Sequence, residues 1–184
     1  MNSEVISSRY AKALLTYAAE AGSGDKVYSQ ALAIAHIMQE VPMLRDIVHQ
    51  RDDVTLAKKV ELLSAALGEQ LADELVRFAE LVTKQRRMGK FQSMLLSYII
   101  RYRQANNIRV GSLVTAAPAD NLRERFETMF SERTASDVHF ETAVDPQLLG
   151  GFVFELDGYR MDASVRTRMD KRRRCLVDDN SRIV

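Results

Sequence analysis

Tryptophan is missing from this 184-residue sequence, and cysteine occurs once, at Cys175. A single cysteine excludes an internal disulfide framework, and three widely separated histidines, His36, His49 and His139, supply no zinc-type ligand cluster. Such cysteine usage fits a reducing compartment. Long hydrophobic runs are lacking too. None approaches the roughly 20 residues that span a bilayer, and the opening MNSEVISSRY looks like neither a secretory leader nor a transit peptide. The expectation is a soluble protein that reaches a membrane only through partners. Also absent are GxxxxGK[ST], a GxGxxG following a strand, HExxH and GxSxG. No nucleophile, base and orienting group can be assembled from what remains, so no catalytic residue, metal or cofactor is expected. His36 reads as a partly buried helix residue, His49 as a helix end, His139 as a strand residue and Cys175 as a small packing residue.

Acidic residues disappear from one stretch. Residues 84–109 hold seven cations, Lys84, Arg86, Arg87, Lys90, Arg101, Arg103 and Arg109, and no Asp or Glu, although the formal net charge is only +1.

What is present is 46% hydrophobic residues, enough for real cores and against disorder of the whole chain. Through the first hundred residues they recur at the helical period. Ile6, Tyr10, Leu14, Tyr17 and Ala21 form one stripe, which Gly22, Ser23 and Gly24 interrupt. Val27, Ala31, Ile34 and Met38 form a second, ended by Pro42, after which a short helix runs to about His49. Beyond the polar turn QRDDV come Leu56, Val60, Leu63 and Leu67, closed by Gly68 as a helix cap. Leu71, Leu75, Phe78 and Val82, then Phe91, Leu95, Tyr98 and Tyr102, complete an α-bundle of five or six helices.

Near Asn106 and Asn107 the pattern changes. IRVGSLVTAAP is rich in β-branched residues, and a strand is expected over 109–116. A helix follows from Asp120 to Glu132 on Leu122, Phe126 and Met129/Phe130, and then the alternating strand DVHFETAV. LLGGFVFEL is strand-like, with the glycine pair allowing a bend. Asp157-Gly158 supplies a hairpin-type turn, and Ser164 caps a final helix that packs back on the sheet. The fold class is therefore two-domain, an N-terminal all-α bundle over 1–106 and a small C-terminal α+β domain over 107–184.

KRRR at 171–174 attracts phosphates, yet four consecutive helical residues point in nearly all directions and no aromatic is interleaved to stack bases. A solvated helix face is the plainer reading. A basic nucleic-acid-associated α+β protein, acting through residues 84–109 and 171–174, stands as the alternative.

SRYAKALLTYA, residues 8–18, resembles the opening helix of the delta subunit of bacterial F-type ATP synthase, a relative of the mitochondrial oligomycin-sensitivity-conferring protein. LLGGFVFELDGYRMDASVRTRMDKRRRCL, residues 148–176, is similar to that family's C-terminal signature, with Ala163 and Met169 where Gly and Leu are usual. The resemblance implies a non-catalytic peripheral-stalk, or stator, subunit. It would sit at the cytoplasmic face of the bacterial inner membrane and link the catalytic head to the b-subunit stalk, so that the head resists rotor torque during proton-driven ATP synthesis. It further implies that the helical domain receives the N-terminal helix of an α subunit between its first and fifth helices. The candidates carried over are Tyr10, Leu14 and Tyr17 on the first and Leu81, Val82 and Gln85 on the fifth. The C-terminal domain would meet the b subunits, with Arg166, Arg168, Arg172 and Arg173 as pairing candidates. No nucleic-acid partner is expected on this reading.

Overall fold

The computed structural model describes residues 3–50 and 54–180. It divides into two compact units, Met1–Ala105 and Asn106–Val184. The first comprises α1 (Ser3–Glu20), α2 (Gly24–Glu40), α3 (Pro42–Gln50), α4 (Leu56–Leu67), α5 (Asp73–Lys84) and α6 (Phe91–Ala105), with a 3-10 turn at Met88–Lys90. α2 buries Val27, Ala31, Ile34 and Met38 as their spacing predicts. α4 ends at Gly68, whose φ of 74° is a left-handed cap that costs glycine nothing in Cβ strain.

The stripe of α1 is displaced from the predicted one. Its buried face is Ser7, Ala11, Leu14 and Ala18, while Ile6, Tyr10 and Tyr17 are half-buried. Small side chains let α1 lie close against α6, its main neighbour. The tyrosines take the flanks, where an apolar ring can pack while its hydroxyl finds a polar partner.

Among the buried polar side chains of this unit, Gln30 and Lys59 are satisfied by partners far along the chain. Gln30 accepts from the Ala72 N–H (2.8 Å) and donates to Glu69 Oε1 (2.8 Å) and the Gln70 carbonyl (3.0 Å), tying α2 to the α4–α5 loop. Lys59 is 4% exposed, and its Nζ donates to the Val48 carbonyl (3.0 Å) in the last turn of α3. That carbonyl belongs to the end of a helix, where backbone acceptors lack intrahelical donors and a cation is favoured.

The second unit comprises β1 (Ile108–Thr115), α7 (Asp120–Thr134), β2 (Asp137–Val144), β3 (Phe152–Leu156), β4 (Tyr159–Asp162) and α8 (Val165–Asn180), with a 3-10 turn at Pro146–Leu148. The sheet order is β2-β1-β3-β4. β1 and β2 are parallel and joined through α7, whereas the β1–β3 and β3–β4 pairs are antiparallel. Phe126 and Phe130 of α7 close over Phe140, Phe152 and Phe154 of the sheet, with Leu113 fully buried beneath. Gly111 stands opposite Phe140. A Cβ there would come within 2.6 Å of both the Phe140 ring and the Glu155 carbonyl oxygen, so glycine is what lets the ring cross the sheet. Along β2, Val138 and Phe140 are buried but Thr142 and Val144 are exposed, so the alternation outlasts the burial. Asp157 and Gly158, with φ of 51° and 79°, form the two-residue turn between Leu156 and its partner Tyr159.

α8 is capped as its sequence suggests, but its side chains described beyond the first turn are not buried against the sheet. The Ser164 Oγ accepts from the Thr167 N–H (3.2 Å), and Asp162 accepts from the Ser164 N–H (2.9 Å) and the Thr167 hydroxyl (2.8 Å). From Arg168 through Cys175 every residue is exposed. Only Val165, Met169 and Cys175 among residues 165–175 are apolar, too few to bury a helix face. Cys175 is accordingly an exposed thiol and not a packing residue. His36 is likewise exposed, 3.5 Å from Glu40. His49 lies in the last turn of α3 and His139 on β2. Residues 51–53 of the QRDDV turn and 181–184 of the tail lie outside the described residues.

Candidate protein-interaction surfaces

The six candidates on α1 and α5 separate by depth. Leu14 is 2% and Val82 0% exposed, so both belong to the core and neither can meet an incoming helix without the bundle opening. Helical spacing marks the stripe that faces inward, and these two residues are its most apolar members. Tyr10 and Tyr17 are half-buried, Leu81 is 45% exposed and Gln85 is exposed. Of the six candidates, only these four reach the surface.

Arginines fix the tyrosines in place. Arg77 of α5 donates to the Tyr17 hydroxyl (2.7 Å), and Arg87, just beyond α5, donates to the Tyr10 hydroxyl (3.1 Å) with its guanidinium 5.6 Å from the ring centroid. Tyr10 also meets Phe78 edge to face at 6.4 Å. A shallow depression continues along the outer side of α1, lined by Arg9, Lys12, Ala13, Thr16, Tyr17 and Glu20. Arg77 was not signalled by the sequence, because a single arginine on a polar helix face resembles any solvated cation.

The basic stretch is largely consumed inside its own units. Besides Arg87, Arg101 donates to Ser8 Oγ (2.6 Å), and Arg103 to the hydroxyl of Tyr28, which stacks on Tyr102. Arg109 donates to Ser136 Oγ (3.1 Å) and pairs with Asp157. Cations spent on such tethers form no continuous track for phosphates. Tyr102 and His49 are among the titratable groups whose pKa is shifted. Burial, then the hydrogen bond to Asp25, pushes Tyr102 up to about 12. Burial, then Arg45, lowers His49.

In the second unit Arg166, Arg168, Arg172 and Arg173 all stand exposed on α8. The root of that helix is a tight joint. Gly151 has φ of 76°, and a Cβ on it would overlap the Ala163 carbonyl oxygen. The Gly150 carbonyl accepts from the Val165 N–H (2.9 Å) and the Phe152 carbonyl from the Ala163 N–H (2.9 Å). The run from Leu148 to Ser164 thus works as the mounting of an exposed helix. Among the described residues no three His, Cys, Asp or Glu side chains are placed to hold a metal, and no helix is long and apolar enough to cross a membrane.

Comparison with known proteins adds three findings. A family model described as ATP synthase delta (OSCP) subunit matches residues 6–176. Proteins named ATP synthase subunit delta from Phocaeicola vulgatus and Bacteroides fragilis are 41% and 37% identical, each alignment covering 98% of both chains. A chain of the cryo-EM structure of the Toxoplasma gondii mitochondrial ATP synthase hexamer shares the fold at a TM-score of 0.64 and 18% identity, over 93% of this chain and 97% of that one.

Proposed function

Because the chain belongs to the ATP synthase delta (OSCP) family and is a peripheral-stalk component of that enzyme, we propose that it works as a non-catalytic clamp with a separate partner on each unit. The helical unit receives the N-terminal helix of an α subunit along α1 and α5, with Tyr10, Tyr17, Leu81 and Gln85 as its contact residues. The other unit meets the b subunits through α8. The protein then reaches the cytoplasmic face of the membrane only through these partners.

The observation that carries this reading is α8, a helix anchored at its root and exposed along the rest of its described side chains. A helix that buries so little within its own unit gains its packing from another chain. The exposed Leu81 of α5 and the two arginine-held tyrosines of α1 support the head contact in the same way, since aromatic rings already held in place lose little entropy on binding. Affinity purification of the tagged chain from solubilised membranes of its own cell tests the proposal. Head and stalk subunits are expected to co-purify, and the isolated chain is expected to hydrolyse no ATP. Recovery without either set of subunits, or turnover by the pure chain, contradicts it.

A further inference from the structure

Val165, Met169 and Arg172 recur along α8 at spacings of four and three, and the same series reaches Leu176 within the helix. That is the spacing of a coiled-coil seam, held here over less than two heptads. Val165 is 38% and Met169 58% exposed, so the seam is open. Directly flanking it, at the positions that face a partner helix across a coiled coil, are Arg166 and Arg173 on one side and Arg168 on the other, all exposed. Lys171 and Arg174 fall on the outer face.

Resting on the reading of α8 as the stalk contact, we propose that α8 is one strand of a short heterotypic coiled coil. Its other strand is a heptad-patterned helix with Glu or Asp at the flanking positions and an acidic residue opposite Arg172. Flanking charges select partners in such pairs, and a polar residue within the seam sets register. The same cations exclude a second copy of this chain. Two α8 helices would bring Arg166, Arg168 and Arg173 against their counterparts, a like-charge arrangement that opposes pairing. Flat phosphate recognition fits less well, because an apolar strip of Val165 and Met169 runs between the two arginine rows.

The test titrates the full chain with synthetic peptides of about four Leu-seamed heptads. One peptide carries Glu at both flanking positions, one carries Lys there, and one is a scrambled version of the acidic peptide. The acidic heptad peptide binds and the other two do not. Arg166→Glu/Arg173→Glu weakens that binding about tenfold and gains the Lys peptide. The equally charged Lys171→Glu/Arg174→Glu stays within about twofold of the parent. Met169→Glu abolishes binding with unchanged far-ultraviolet circular dichroism. Equal losses in the two double variants overturn the seam in favour of a diffuse charge field, as does tight binding of the scrambled peptide or of duplex DNA. A chain truncated after Ser164 separates the two layers. If it loses the stalk subunits while the acidic peptide fails to bind the intact chain, the coiled coil is wrong and the stalk contact stands. If it keeps them, both fall.

Discussion

Leu81 and Val82 are neighbours on α5 that should respond oppositely to the same substitution. Val82 is fully buried beside Phe78 and Ala79. Val82→Asp forfeits roughly 1.5–3 kcal/mol of apolar burial and places a carboxylate in the core, which costs several kcal/mol more or forces protonation. The total, on the order of 5 kcal/mol, approaches the whole stability of a typical domain, about 5–15 kcal/mol. Leu81 is 45% exposed, so Leu81→Asp loses about 1 kcal/mol of burial. An acidic residue in the last turn of a helix adds about 0.5 kcal/mol. The bundle stays folded. A labelled α-subunit N-terminal peptide, followed by fluorescence anisotropy, reports binding without interference from a protein that has no tryptophan. Circular dichroism on the same samples reports the fold. Leu81→Asp should keep the parental spectrum and bind at least about tenfold more weakly, as expected for an anchor residue, whereas Val82→Asp should lose helix content and binding together. A folded Val82→Asp that binds normally would refute the burial reasoning. A Leu81→Asp with parental affinity would remove the α1–α5 surface as the head contact.

Gly151→Ala should lower the melting temperature of the second unit sharply, since the methyl group meets backbone and φ is left-handed. Gly158→Ala, left-handed too but with nothing within 4 Å of its Cβ position, should cost only about 1 kcal/mol. Asp162, held below the ordinary carboxylate range by its hydrogen bonds to Ser164 and Thr167, stabilises the root of α8 above the unfolded carboxylate value and stops doing so as pH falls through its folded value. The protection of amides in the first turn of α8, taken relative to the intrinsic exchange rate at each pH, should therefore fall on acidification below about pH 4, and Asp162→Asn should be less protected at neutral pH and lose that dependence. A fragment ending at Ala105 should melt cooperatively with high helix content, and a non-cooperative fragment would show that the helical unit depends on the rest of the chain.

Helix positions were legible because apolar spacing and breakers agree: Gly68 ends α4 and Ser164 caps α8, both visible as residue types. Depth was less legible. Small Ser7, Ala11 and Ala18 carry little hydrophobic signal yet form the closest face of α1, and large Tyr10 and Tyr17 carry much and stay on its flanks. Gln30 and Lys59 are buried because of partners 39 to 42 and 11 residues away, respectively, which no local pattern encodes. The same holds for the basic stretch, where Arg87 and Arg101 are claimed by α1 and Arg103 by α2. For the interaction residues, the resemblance supplied two elements and a residue set, but only exposure separates Leu81 from Val82. On α8 the arginines were evident, whereas the absence of a covering surface, which makes them available, is a property of the folded unit.

The most direct measurement is a three-component assembly. Catalytic heads stripped of this subunit are mixed with the soluble part of the b subunits, with and without the full chain, and separated by size. A two-site clamp predicts that b elutes with the head only when the chain is present, that the chain truncated after Ser164 remains on the head without b, and that Leu81→Asp reaches b without the head. Co-elution of b with the head in the absence of the chain, or loss of both partners in either variant while its circular dichroism is unchanged, would contradict it.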